Sequence, residues 1–132
     1  MGRPEITPPG FAQELGIEWL ELDPDDARAR IKVEKRHLQL YGVVHGGVFA
    51  SLAESLASAA THGAVRDDGM VAMGQANDTT FLRPISGGYV NARARTRHRG
   101  RTTWIWDVEI SDDEGRVCAL SRMTIAVRPR PD

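Results

Sequence analysis

Long apolar runs and cysteines are nearly absent from this 132-residue sequence. No apolar run reaches the roughly 18 residues that a membrane-spanning helix needs, and the N-terminal MGRPEITPPGF lacks the apolar stretch of a secretory signal. The single cysteine, Cys118, excludes an internal disulfide and a zinc site built from cysteines. We therefore expect a soluble protein of a reducing compartment and predict a cytoplasmic location.

A surplus of one charge is also missing, since 17 Lys and Arg residues face 18 Asp and Glu residues. Binders of nucleic acids or membrane surfaces normally carry a clear basic excess. The sequence has no G-x-S-x-G elbow and no Walker or G-x-G-x-x-G motif, and His37, His62 and His98 have no partner at metal-ligand spacing. We predict no nucleic acid, membrane or metal as a partner.

The sequence has no internal repeat and no interdomain linker, which indicates one domain over residues 1–132 with a proline-rich, irregular arm at 1–10. Alternating residues predict strands and a 3.6-residue repeat predicts one long helix. The predicted elements are a helical turn at 11–15, strands at 17–22 and 27–33, a helix from Gly46 to about Gly63, and strands at 70–81, 90–97, 104–110 and 117–127.

Two strands, a long helix and a meander of four strands predict an α+β fold, in which an antiparallel sheet packs one face on the helix. If the strands at 90–97 and 104–110 pair so that Arg95 lies opposite Asp107 and Arg93 opposite Glu109 on the solvent-exposed face, each charge pair favours this register by a few tenths of a kcal/mol. One helix covers only part of such a sheet. We therefore expect dimerisation and clefts between subunits.

The stretch GVVHGGVFASLAES carries an ionisable residue, Glu54, on an otherwise apolar helix. We expect this carboxylate to be partly desolvated and to act as a base, the alternative being that it points to solvent. Gly46 and Gly47 begin the same helix, where backbone N–H groups lack partners and the helix dipole is positive. Such a helix end can stabilise the developing negative charge of a reacting carbonyl.

The pattern Q-x5-H-G-G-x6-E-x3-S, from Gln39 to Ser58, resembles the hotdog-fold acyl-CoA thioesterases. It is most similar to the aryl-CoA branch, which includes 1,4-dihydroxy-2-naphthoyl-CoA, 4-hydroxybenzoyl-CoA and enterobactin-proofreading thioesterases of the phenylacetic-acid-degradation superfamily. The segments FLRPISGG, HRGRTTW and DDEGRVCALSRMTIAV resemble that group too, so the likeness spans about residues 33–127. It implies a sheet wrapped around one long central helix and an acyl-CoA thioesterase activity.

The resemblance also implies roles for five residues of the pattern. Glu54 would be the nucleophile or the base for water, Gly46 the oxyanion donor, and Gln39 the amide that orients the thioester. Ser58 would hold the hydrolytic water, and His45 would be a hydrogen-bonding positioner, although a histidine before a glycine turn is often only a cap. No cofactor is implied beyond the CoA of the substrate.

Coenzyme A carries a 3′-phosphate and a diphosphate, which suit guanidinium groups. By resemblance the CoA-binding residues are Arg83, Arg101, Thr102, Thr103 and Arg128, although any one arginine could instead be a solvated surface charge. We predict that Phe49, Met73 and Leu82 line the substrate pocket.

The resemblance implies a dimer with sites at its interface, often doubled to a homotetramer, a dimer of dimers. The alternatives are a hotdog dehydratase or hydratase and a non-catalytic acyl-CoA-binding protein.

Overall fold

The computed structural model describes residues 10–131, so the predicted arm at 1–10 lies outside the described residues except for Gly10. Every predicted element is confirmed, with ends that differ by at most two residues. The elements are α1 (Phe11–Leu15), β1 (Ile17–Leu22), β2 (Asp26–Lys32), α2 (Gly46–Val65), β3 (Met70–Phe81), β4 (Tyr89–Arg99), β5 (Thr103–Ser111) and β6 (Val117–Pro129). None of the helices in this part of the chain is both long and apolar enough to cross a membrane.

The six strands form one antiparallel sheet in the order β1-β2-β4-β5-β6-β3. The predicted α+β fold is confirmed, but the predicted meander of four strands is wrong. Of the four strands after α2, β4, β5 and β6 are neighbours in chain order, whereas β3 pairs with β6 and is an edge strand. The strand that precedes the meander in sequence therefore lies at its far side.

The connection between β3 and β4 explains this position because it crosses one end of the sheet. The backbone N–H groups of Leu82 and Arg83 both donate to the Cys118 carbonyl of β6, at 2.8 and 3.1 Å. Further along, the Val44 N–H donates to the carbonyl of buried Ile85 at 2.7 Å. Because this connection is long and is held at several points, it does not force β3 and β4 to pair as a hairpin, as a two-residue turn would.

Helix α2 packs across the concave face of the sheet through an apolar stripe. Leu52 and Leu56 are fully buried, and the small side chains of Ala53, Ala57 and Ala60 let the helix approach the strands closely. A polar bond joins the layers as well, since the indole Nε1–H of buried Trp106 donates to Thr61 Oγ1 at 2.8 Å. This packing holds the start of α2 and its solvent side in defined places above the sheet.

A β-bulge at Gln75 reverses which residues of β3 face the helix. The pairing with β6 shifts between Gly74 and Ala76, so Gln75 has no partner in the register. Before the bulge Gly74 faces α2, and after it Asn77 and Phe81 do, as their contacts with α2 show. Without the extra residue, the even-numbered positions would continue on that face.

The predicted register of β4 and β5 is confirmed, since Arg93 lies opposite Glu109 and Arg95 opposite Asp107. The ion pairs themselves are distributed differently. Arg93 reaches back to Asp26, with Nε–Oδ1 and Nη2–Oδ2 distances of 3.0 and 2.7 Å. Asp107 pairs instead with other arginines of the same face, Arg97 and Arg122.

The hydrogen bond from Arg93 holds the pKa of the Asp26 carboxyl below its usual value. A carboxyl with a lowered folded-state pKa stabilises the fold above its unfolded pKa of about 3.9 and loses that contribution as the pH falls through the folded value. We expect Asp26→Asn to lower Tm by roughly 1–2 °C at pH 7 and by less at about pH 3, where part of the contribution is already lost. Thermal melts at both pH values test this, with exposed Asp68→Asn as the control. A deficit of the same size at both would contradict it.

Candidate active site

At the start of α2, the backbone N–H of Gly46 has no acceptor among residues 10–131. His45 is the N-cap, with φ −62° and ψ 134°, and its Nδ1 accepts from the Gly47 N–H at 2.8 Å. The Val48 N–H donates to the His45 carbonyl at 2.9 Å. The first turn therefore presents one unused N–H, on the residue expected to be the oxyanion donor, at the positive end of a 20-residue helix.

Gly46, which carries this N–H, lines a cavity of about 530 Å³. The cavity brings together most of the residues predicted near the thioester and acyl group, which are Gln39, His45, Gly46, Phe49 and Leu82, and it adds Arg83, which was predicted to bind CoA. Phe81 also lines it, 6.2 Å from Phe49 between ring centroids. A Cβ on Gly46 would come within 2.9 Å of the Phe81 ring, so glycine lets the aromatic wall close against the helix.

Gln39 enters this cavity from the loop before α2. Its Oε1 accepts from the Tyr41 N–H at 3.1 Å, and its carbonyl accepts from the Gly42 N–H at 3.0 Å. Gly42 has a φ of +77°, which a residue with a side chain rarely adopts. With its oxygen occupied, the Gln39 side chain keeps its NH₂ group as a donor, which suits a carbonyl oxygen.

Glu54 lines a second cavity, of about 280 Å³, on the side of α2 that faces the edge strand. The expectation of a partly desolvated carboxylate is wrong for the single chain, because Glu54 is exposed. It lies beside the edge strand β3, whose Gly74 and Asn77 contact its carboxyl group on one side and leave the rest of the side chain open to solvent. Ser58 is half-buried one turn further on and does not line either cavity.

Asn77 contacts the Glu54 carboxylate, and the sequence reading missed it. Its Nδ2 lies 2.9 Å from the Ala50 carbonyl oxygen and 3.3 Å from Glu54 Oε1. An asparagine in a predicted strand gives no sign of its partner. Strict alternation along β3 would have placed Asn77 on the face away from α2. The bulge at Gln75 turns its side chain towards the helix.

The Gly46 N–H and the Glu54 carboxylate of one chain do not meet. Glu54 follows Gly46 by eight positions, about 12 Å along the helix axis, and the two residues line separate cavities. A carbonyl polarised by Gly46 is therefore out of reach of the same chain's Glu54. The two halves of the predicted site are both present but stand apart.

The predicted CoA-binding residues are also divided between two places. Arg83 borders the large cavity beside the Phe81 end of β3. Arg128 lies opposite Val71 at the other end of that strand, about 33 Å away at 3.3 Å per residue. Its Nη1 donates to the Thr102 carbonyl at 2.6 Å, close to the exposed Arg101 and half-buried Thr103 of the β4–β5 turn.

Met73 does not line either of the two cavities beside α2. Ala72 packs against the core, so Met73, the next residue of β3, points to the opposite face of the sheet and is 55% exposed. The prediction that Met73 lines the pocket is therefore wrong for this chain. Phe81, which the sequence reading did not select, takes that place.

Two further reactive side chains are structural. Burial raises the pKa of the Cys118 thiol, which is fully buried and so stays protonated. His37 is buried as well, with Nε2 2.8 Å from the Leu15 carbonyl oxygen and Nδ1 accepting from the Glu34 N–H. Both ring nitrogens are thus occupied in tying the loop before α2 to the end of α1.

Comparison with known proteins identifies the class. The profile of the thioesterase superfamily matches residues 41–119. The chain therefore belongs to the thioesterase superfamily, and its sheet wrapped around α2 is the hotdog fold. The resemblance read from the Gln39–Ser58 pattern is confirmed.

Individual relatives cover nearly the whole chain. Rv1847 of Mycobacterium tuberculosis, named as an esterase, is 43% identical over 126 residues, covering 91% of this chain and 86% of that protein. Its solved structure superposes with a TM-score of 0.86 at 40% identity, over 92% and 98% of the two chains. The proofreading thioesterase EntH of Cronobacter turicensis is 36% identical over 89% and 85%. The structure of a mutant of thioesterase PA1618 from Pseudomonas aeruginosa gives a TM-score of 0.85 at 36% identity, over 89% and 85%.

Proposed function

We propose that this protein hydrolyses the thioester of an aryl or medium-chain acyl-CoA to the free acid and CoA. The observation that carries the proposal is the unused N–H of Gly46, a residue that lines a largely apolar cavity. A thioester oxygen placed there would accept this N–H and gain from the helix dipole as its negative charge develops. Phe49, Phe81 and Leu82 offer an apolar surface to the acyl group, and Arg83 offers a guanidinium to a CoA phosphate.

The reaction needs only water and a carboxylate. In one route Glu54 takes a proton from water while the water oxygen attacks the thioester carbon. The tetrahedral intermediate then breaks its C–S bond, and the leaving thiolate receives the proton. In the other route Glu54 attacks the carbon itself, expels the thiolate and forms an anhydride that water hydrolyses. Both routes use the same oxyanion donor and end in the same products.

A second copy of the chain would bring the two halves of the site together. The edge strand β3 is 12 residues long and pairs on one side only within residues 10–131. Antiparallel pairing of two β3 strands about a two-fold axis near Asp78 would set Phe81 opposite the partner's Gln75. Because Gly46 lies against Phe81 and Glu54 lies against Gly74, the N–H of one copy would then face the carboxylate of the other.

The same pairing would shorten the gap between the predicted CoA residues. Antiparallel strands place the Phe81 end of one β3 towards the Met70 end of the other, so Arg83 of one copy approaches the turn with Arg101, Thr102 and Thr103 of its partner. We therefore propose a dimer with two shared sites. Its doubling to a homotetramer stays a prediction.

A panel of acyl-CoA thioesters tests the proposal. We expect release of free CoA thiol from at least one of benzoyl-, phenylacetyl-, naphthoyl- and hexanoyl- to decanoyl-CoA, with kcat/KM of about 10⁴ M⁻¹s⁻¹ or more. A colorimetric thiol reagent measures this, and buried Cys118 adds no background in the folded protein. No thiol release from any of these thioesters would contradict the proposal. Hydration of an enoyl-CoA without thiol release would indicate the hydratase alternative.

A further inference from the structure

We propose that Asn77, Thr79 and Ser121 form a hydrogen-bonded chain that positions the Glu54 carboxylate for hydrolysis. The inference rests on the proposed function, because it assigns the chain an effect on a carboxylate that does the chemistry. None of the three residues belongs to the His-Gly-Gly pattern or lines the cavity beside Gly46. They lie on β3 and β6, on the face of the sheet turned towards α2.

The direction of each hydrogen bond follows from what its atoms can do. The Ala50 carbonyl oxygen and the Glu54 carboxylate only accept, so the NH₂ side of the Asn77 amide must face them. Its Oδ1 then accepts from the Thr79 hydroxyl at 2.6 Å. That hydroxyl has one proton, so at its 2.8 Å contact with Ser121 Oγ it accepts.

The chain connects an exposed carboxylate to the rigid interior. Ser121 is only 5% exposed and lies opposite Thr79 in the β3–β6 ladder. Asn77 Nδ2 donates one N–H to the Ala50 carbonyl of the helix backbone and the other to Glu54 Oε1, 3.3 Å away. A flexible side chain on a solvent-facing helix surface is thereby tied to both layers of the fold. A carboxylate held in place before the substrate arrives loses less entropy in the reaction.

Gly74 completes this arrangement on the other side of the carboxyl group. A Cβ at this position would lie 2.8 Å from Glu54 Oε2 and 2.9 Å from Cδ, so the carboxyl group rests against the bare backbone. Asn77 and Gly74 stand on either side of the bulge at Gln75. The bulge therefore brings an open space and an amide donor to one carboxylate, a common use of bulges beside active sites.

The test uses four single variants. We expect Asn77→Ala to lower kcat by about 10- to 100-fold with KM changed less than about threefold, because the proposed role of the amide is to hold the Glu54 carboxylate and not to bind the substrate. Thr79→Val, which keeps the shape but removes the proton donated to Asn77, should lower kcat by about tenfold. Thr79→Ser should restore it. Thr80→Val is the matched control on the opposite face of β3 and should behave as wild type.

A double-mutant cycle separates positioning from general damage to the strand. If Thr79 acts through Asn77, adding Thr79→Val to Asn77→Ala should lower kcat no further. Independent losses, wild-type kcat in Asn77→Ala, or a rise in KM alone would each overturn the positioning role. Circular dichroism and size exclusion confirm that each variant is folded and assembled.

The outcome for Glu54 itself distinguishes the two proposals. An inactive Glu54→Gln beside a fully active Asn77→Ala overturns only the hydrogen-bonded chain. An active Glu54→Gln overturns the proposed mechanism, and with it any role for a chain that works through this carboxylate.

Discussion

Glu54→Gln is expected to lower kcat by about a thousandfold or more and to leave the fold unchanged. The amide has the shape of the carboxylate, and its oxygen can still accept from Asn77 Nδ2. It can neither take a proton from water nor attack a carbonyl. Since Glu54 is exposed and buries nothing, its replacement should not destabilise α2.

The measurement is steady-state thiol release with the most active acyl-CoA of the panel. Glu21→Gln, which changes an exposed glutamate of β1 in the same way, is the control and should keep full activity. Thermal melts of both variants should match the wild type within about 2 °C. Hydrolysis by Glu54→Gln near the wild-type rate would exclude this carboxylate from the chemistry.

The second large effect is expected from Gly46→Pro, which removes one backbone donor and adds ring carbons beside Phe81. Proline is favoured at the first position of a helix, and its predecessor must be extended, as His45 is at φ −62° and ψ 134°. The variant should therefore fold. It replaces the N–H with a ring carbon, so we expect kcat to fall by about 100- to 1000-fold.

Gly46→Ala is the control because it adds the same Cβ against Phe81 but keeps the N–H. The loss of kcat in Gly46→Pro beyond the loss in Gly46→Ala measures the contribution of the N–H donor. The prediction fails if the two variants lose activity equally, since crowding of the Phe81 ring would then explain both. Comparison of their kcat values on one thioester decides between the two causes.

Mixing the two inactive chains tests whether the site is shared. After unfolding and refolding together in equal amounts, half of the dimers would combine one Glu54→Gln chain with one Gly46→Pro chain. Each of these has one intact site if Gly46 and Glu54 come from different copies, so about a quarter of the wild-type activity should return. No recovery, with mixed dimers demonstrated by a tagged chain, would indicate that the site lies within one chain.

The sequence predicted those residues of the candidate site that lie along one continuous segment of the chain. Gln39, His45, Gly46 and Phe49 all belong to the loop and first turn of α2, and a helix start places them by local geometry alone. Side chains supplied by other elements were read less well. Met73 was assigned to the pocket and lies on the other face, whereas Phe81 and Asn77 were not recognised.

The amino-acid sequence by itself determined the elements of this protein and their hydrophobic faces. Alternation in β4 and β5 placed Trp104, Trp106, Val108 and Ile110 in the core, because a strand with one buried face must repeat every two residues. The α2 stripe followed in the same way from the helical repeat.

Only the tertiary structure decided where β3 lies and how it faces the helix. Its edge position depends on a connection held across the end of the sheet by β6, and no local pattern encodes that path. Its orientation depends on one extra residue, Gln75, because a single-residue shift exchanges the two faces of a strand. That shift turns Asn77 towards Glu54 and Phe81 towards Gly46.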